Sequence, residues 1–168
     1  CVPFAYCPLL LQQSCVQAPC GGPARYAVLT GVSPGTSRAL ADAACCRGAS
    51  RLDPKAGGGA AQTFPGLFRQ NGYRTVCIGK VAHTPDGRVF AYDGSGDGRA
   101  ELPGAWDELA TPFGLWGRGW GAFFAYVGGA HREDGTGRRD LMEFTARSDD
   151  DLPDGQIAAT AARKLDEL

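Results

Sequence analysis

Two short stretches of the chain hold residue types that could do chemistry together. The first is Cys20-Gly21-Gly22-Pro23-Ala24-Arg25, running on to Leu29-Thr30-Gly31; the second is Gly79-Lys80-Val81-Ala82-His83. Pro is favoured at the first position of a helix and Gly just past the last, so 23–31 reads as a short helix. That reading puts the Cys20 sulfur at a helix N-terminus, where free N–H groups and the helix dipole favour an anion. Arg25, one turn inside, adds a planar cation suited to an oxyanion. Lys80 supplies a fixed positive charge, and His83, one of two histidines in the chain, can transfer a proton near neutral pH. The chemistry these types suggest is the binding and turnover of an anionic group.

Each residue also has an ordinary reading. Cys20 could be an unmodified loop thiol, Arg25 a surface arginine, and Lys80 with His83 a solvated strand end. His131, in a glycine-rich stretch, reads as a surface residue. Cys45-Cys46 lacks the Cys-x-x-Cys spacing of zinc sites, so no zinc is expected there. Trp116 and Trp120 could line a sugar-binding surface, but packing is the commoner use of such aromatics.

The elements that must position these groups are partly legible. Thr63 can cap a helix over 63–73, with Phe64, Leu67 and Phe68 on one face and Gly72 ending it. Residues 74–79 then read as a buried strand, which leaves Lys80 just beyond its carboxyl end. Ligands of open α/β sheets collect at that edge, so the fold class is α/β. Residues 84–150 read as a long, mostly irregular insertion carrying Trp106, Trp116, Trp120 and Phe123-Phe124-Ala125-Tyr126. Asp154 can cap a final helix with Ile157, Ala161, Leu165 and Leu168 on one face. Residues 1–19 show neither helical nor strand periodicity and stay unassigned. No repeat of fixed period is present, and the glycines at 57–59 and 94–98 read as loop composition.

Composition narrows the classes of function. The chain has 168 residues, starts at Cys1 rather than Met, and is expected to be an internal piece of a longer protein. Lys and Arg total 17 against 18 Asp and Glu, which gives a net charge of -1 and argues against a nucleic-acid binder. A hydrophobic content of 43% supports a core, while 25 Gly and 11 Pro imply many turns. No apolar run approaches the roughly 18 residues of a membrane span. The 7 cysteines, at 1, 7, 15, 20, 45, 46 and 77, cannot all pair within the chain.

Five separated motifs occur in an order that resembles the sulfatase family of the alkaline phosphatase superfamily, its iduronate-2-sulfatase-like members above all. They are Cys20 followed by Pro23-Ala24-Arg25 and Leu29-Thr30-Gly31; Pro34-x-Thr36-Ser37; Phe64-Pro65-x-x-Phe68-x-x-Asn71-Gly72-Tyr73; Gly79-Lys80-Val81-x-His83; and Leu152-Pro153-Asp154 before an Ala-rich helix. The resemblance covers 20–90 and, less fully, 140–168. It implies an alkaline-phosphatase-like fold with a mixed central sheet flanked by helices and long loops. Residues 20–168 would be the N-terminal part of the catalytic domain, its first strand and C-terminal portion lying outside the chain.

The activity implied is hydrolysis of sulfate esters, of sugars or other alkyl groups, with a sulfated small molecule or glycan as substrate. By the resemblance Cys20 is the formylglycine precursor and a calcium (Ca2+) ligand, Arg25 and Lys80 stabilise it and the sulfate charge, and His83 assists the release of sulfate. A formylglycine-generating enzyme would be a partner, and the location would be secreted, periplasmic or lysosomal. This piece alone is expected to be inactive. The family motif is spaced Cys-x-Pro-x-Arg, whereas Gly21 and Gly22 both stand between Cys20 and Pro23, so Gly21 aligns with the nucleophile. Cys1-Val2-Pro3 has Ala5 where Arg is needed, and Cys15 has Gln17 where Pro is needed. Two alternatives follow: a catalytically silent sulfatase-like domain with a binding or structural role, and a small cysteine-containing extracellular binding module.

Overall fold

A computed structural model describes residues 15–42, 62–90, 95–116, 119–125 and 145–167. Cysteines 1, 7, 45 and 46, the glycines at 57–59, Gly94, Tyr126, His131 and Leu168 lie outside the described residues. The elements in chain order are α1 (Gly21–Thr30), α2 (Pro34–Ser37), α3 (Phe64–Gln70), β1 (Val76–Cys77), β2 (Glu108–Leu109), α4 (Gly119–Phe124) and α5 (Pro153–Asp166). Single 3-10 turns span Gly114–Trp116 and Asp149–Asp151.

Local chemistry accounts for the helix ends. α1 stops at Gly31, whose φ of 70° is left-handed and whose N–H donates to the Ala27 carbonyl. It starts two residues before Pro23, with Cys20 as an extended N-cap. Ser33 caps α2 by accepting from the Thr36 N–H. Thr63 caps α3 by accepting from the Gly66 N–H at 3.2 Å. At its other end the Tyr73 N–H reaches the Phe68 carbonyl and the Gly72 N–H that of Arg69, with Gly72 at φ 86°. This is a Schellman closure, and the Phe68 and Tyr73 rings meet edge to face at 5.1 Å across it. The shared face of α3 is not buried as a core stripe: Phe64, Leu67 and Phe68 are each nearly half exposed.

The strand expected over 74–79 is confined to Val76–Cys77. Side chains take the flanking N–H groups: Asp107 Oδ2 accepts from Thr75 at 2.9 Å, and Thr111 Oγ1 from Gly79 at 2.8 Å. β1 pairs in parallel with β2, in the register Val76↔Glu108 and Cys77↔Leu109. Strand β2 and helix α4 both fall in the region expected to be irregular, and Trp116, 1% exposed, and Trp120 pack inward there. Ion pairs Arg69–Asp107 at 2.6 Å and Arg74–Glu108 at 2.9 Å tie the α3 side to β2.

The final helix begins at Pro153 with Leu152, not Asp154, in the cap position; Asp154 sits in the first turn, where a carboxylate complements the dipole. Its inward face is also rotated from the expected stripe. Pro153 and Thr160 are buried and Leu165 is 71% exposed. Ile157 lies against Gly79, and Lys164 pairs with Glu108 at 2.9 Å, which turns Leu165 outward. The main apolar core joins Tyr26 and Leu29 of α1 to Ala82, Leu102 and Ala105. It lies directly beneath the Lys80–His83 loop, so the packing that stabilises α1 also seats that loop. Truncating a side chain such as Leu29 to Ala would cost about 2–5 kcal/mol. No helix of the described residues is long and apolar enough to cross a membrane.

Candidate functional site

The N-terminus of α1 carries an anion supplied by the chain itself. Asp42 Oδ1 accepts from the Cys20 thiol at 2.9 Å and from the Gly22 N–H at 3.0 Å. Gly22 makes this approach possible, since a Cβ there would stand 2.4 Å from the Asp42 Cα. The carboxylate answers helix donors that have no partner within α1. Asp42 was not legible in the sequence, because nothing near it in the chain marks a residue that binds 20 positions away.

One turn further, Arg25 Nη1 donates to the carbonyl oxygens of Lys80, at 2.8 Å, and Val81, at 3.0 Å. A single guanidinium thereby fixes the backbone that follows β1. Lys80 Nζ donates to the His83 carbonyl and lies 5.5 Å from the Trp120 ring and 5.4 Å from the Phe123 ring. The His83 ring meets Trp120 edge to face at 5.8 Å. Behind the loop Glu101, only 2% exposed, accepts from the N–H groups of His83 and Thr84 at 2.6 and 2.9 Å and from Thr84 Oγ1 at 2.8 Å. Glu101 is the second residue that sequence reasoning missed, a lone acid with no motif around it.

The electrostatics follow from this geometry. The hydrogen bond to Asp42 holds the Cys20 thiol above its ordinary pKa, with burial and the Asp42 charge adding to the effect, so the sulfur is protonated at neutral pH and is no thiolate nucleophile. Asp42 is held below the usual carboxylate range, first by the Cys20 bond, then by the Gly22 N–H, with the charges of His83 and Lys80 contributing. Burial lowers the His83 pKa, and the Lys80 charge lowers it further, against opposing pulls from Asp42 and Glu101. His83 is therefore neutral at pH 7 and able to accept a proton.

The structure thus sets Cys20 against Asp42 and ties Arg25 to the loop that carries Lys80 and His83. Gly21 stands between Cys20 and Gly22 at the start of α1. A Cβ built on it meets nothing within 4 Å, and Gly21 lines, with Arg25, Val16 and Val28, an open groove of about 640 Å³. Calcium takes six to eight oxygen ligands. Among the described residues no group of three or more His, Cys, Asp or Glu could hold a metal. Cys20 and Asp42, one thiol and one carboxylate bonded to each other, do not fit calcium, and no chemical step is derived through it. No protein-family model, no curated protein and no solved structure matches the chain.

Proposed function

We propose that the chain is part of a sulfatase-like α/β hydrolase whose site binds the sulfate group of a sugar sulfate or other alkyl sulfate ester and promotes its hydrolysis. The observation that carries this reading is the hydrogen-bonded link from Arg25 of α1 to the Lys80 and Val81 carbonyls and from Lys80 Nζ to the His83 carbonyl. In hydrolysis of a sulfate ester a water oxygen bonds to sulfur as the ester S–O bond breaks, so the water gives up a proton, the departing alkoxide gains one, and the sulfate charge must be held throughout. Fixed cations held out of bulk water are well suited to that charge. In this reading Lys80 faces the sulfate oxygens, Arg25 holds the loop that carries Lys80, and neutral His83 takes up the proton. The motif position belongs to Gly21, and the Cys20 sulfur is engaged by Asp42. No step is therefore routed through formylglycine or calcium, which stay implications of the resemblance.

Those same two facts favour a second reading, a silent domain that binds sulfated ligands without turning them over. The test is sulfate release from sugar and alkyl sulfates by the full-length protein, made in a host with the formylglycine-generating enzyme. The hydrolase reading expects release that falls about 10²-fold or more in Lys80→Ala. Absence of release with retained binding of the esters would overturn it in favour of the silent domain.

A further inference from the structure

We infer that Glu101 is the positioning residue for His83: its buried carboxylate takes the N–H groups of His83 and Thr84 while Arg25 takes the Lys80 and Val81 carbonyls of the same loop, and the imidazole stands where these two opposite charges hold its main chain. The inference rests on the site reading above for the proton that His83 moves, and its geometry is independent of turnover. Both carboxylate oxygens are engaged by the loop. Oε1 accepts from the His83 N–H at 2.6 Å and the Thr84 N–H at 2.9 Å, and Oε2 from Thr84 Oγ1 at 2.8 Å. At 2% exposure a carboxylate is held only where donors answer it, and the donors here belong to His83 and the residue after it.

Glu101 is itself fixed from two directions. Its N–H donates to the Gly87 carbonyl at 2.8 Å beside the Arg88↔Ala100 bridge, and the next residue, Leu102, lies in the core with Tyr26 and Leu29. The carboxylate is therefore set in place by the fold, and the loop conforms to it. The His83 ring in turn meets Trp120, whose indole N–H donates to the Phe90 carbonyl at 2.9 Å, so a shift of the His83 main chain would break that ring contact too. The same carboxylate acts through its charge. Burial holds the His83 pKa down and the charges of Lys80 and Arg25 add to this, while Asp42 and Glu101 oppose it. Removing the Glu101 charge must therefore lower the affinity of the imidazole for its proton further.

The experiment follows the His83 imidazole by NMR titration in the full-length protein, its signal identified by its loss in His83→Asn. Glu101→Gln keeps the shape and an acceptor oxygen but removes the charge. It is expected to keep slow amide exchange at His83 and Thr84 and to lower the proton affinity of His83 about threefold or more. Glu101→Ala should lose the clamp as well, with exchange at those two amides about tenfold faster or more. Leu29→Val loosens the core under the loop without touching a charge; it should lower Tm and leave the imidazole midpoint where it is. In a protein that hydrolyses esters, the acid limb of kcat/KM against pH should move down with the midpoint in Glu101→Gln. Should both Glu101 variants fail to fold, the parent carries the test: its His83 N–H, 2.6 Å from a carboxylate oxygen, should resonate far downfield and exchange slowly. An ordinary, fast-exchanging His83 amide in the parent, an unmoved midpoint in Glu101→Gln, or an equal shift in Leu29→Val would each overturn the inference. A lowered midpoint in Glu101→Gln, in a protein that releases no sulfate, would support it and overturn only the hydrolase reading.

Discussion

Arg25 and Lys80, 55 residues apart in the chain, are joined by a hydrogen bond of 2.8 Å from guanidinium to backbone carbonyl. The arginine positions the lysine through its main chain, while the lysine side chain meets the His83 carbonyl and the Trp120 and Phe123 rings. Arg25→Lys keeps the charge but loses the rigid guanidinium whose Nη1 is held between the two carbonyls. Hydrogen bonds from charged donors are worth about 1.5–3 kcal/mol, so a stability loss of that order is expected in urea unfolding. Faster amide exchange at His83 and Thr84 should accompany it. Unchanged exchange there would show that the loop does not depend on Arg25.

Gly21→Cys restores the Cys-x-Pro-x-Arg spacing at a position where a Cβ meets nothing. Folding stability is expected to stay within about 0.5 kcal/mol of the parent. In a host with the formylglycine-generating enzyme, mass spectrometry should find the aldehyde at position 21 of the variant and none at Cys20 of either protein. Aldehyde at Cys20 in the parent would refute the assignment of the motif to Gly21.

Asp86 is 1% exposed, and its Oδ2 has no hydrogen-bond partner among the described residues. Burial raises its pKa, with Glu101 adding to the rise and Arg88 and the local N–H groups opposing it. The folded state therefore binds this proton more tightly than the unfolded state. Stability on this account falls as pH rises from the ordinary carboxylate range through the folded pKa, and the penalty is constant above it. Asp86→Asn removes the titration, so its gain in Tm over the parent should be larger at pH 7 than at pH 4. A gain independent of pH would show that Asp86 is not the group responsible.

Gly72 at φ 86° closes α3, and an alanine there would have to adopt a left-handed backbone. Gly72→Ala is expected to cost about 1–2 kcal/mol by denaturant titration. Gly21→Ala, in right-handed helix with open space around it, should cost nothing measurable. Similar losses in both would remove the conformational explanation.

The cap of α3 and the closing ends of α1 and α3 were legible because their causes are local: Thr63, Gly31 and Gly72 act within a turn of where they stand. The ends of β1 were not, since Asp107 and Thr111, more than 30 residues away, capture the N–H groups of Thr75 and Gly79. Helix α5 was readable as a helix, but its inward face is chosen by a partner, with Lys164 drawn to Glu108 while Leu165 turns outward. Helix α4 gave no signal because Gly119, a poor helix former, opens it; a Cβ there would stand 2.7 Å from Asp86 Oδ1. At the site, Arg25, Lys80 and His83 were visible as types in sequence order, whereas Asp42 acts through an approach that only the tertiary structure creates.

The core draws on Tyr26 and Leu29 and on Leu102 and Ala105, more than 70 residues further along the chain. A ribosome adding about 5–20 residues per second needs several seconds to pass from the first pair to the second. Helix α1, whose bonds are local, can form within microseconds, so its apolar stripe is presented long before its cover exists. The parallel pairing of β1 with β2 imposes the same wait, because no short turn can join parallel strands. The nascent chain thus shows Tyr26 and Leu29 to chaperones, or to other nascent chains, for a period set by translation speed and not by the rate of folding.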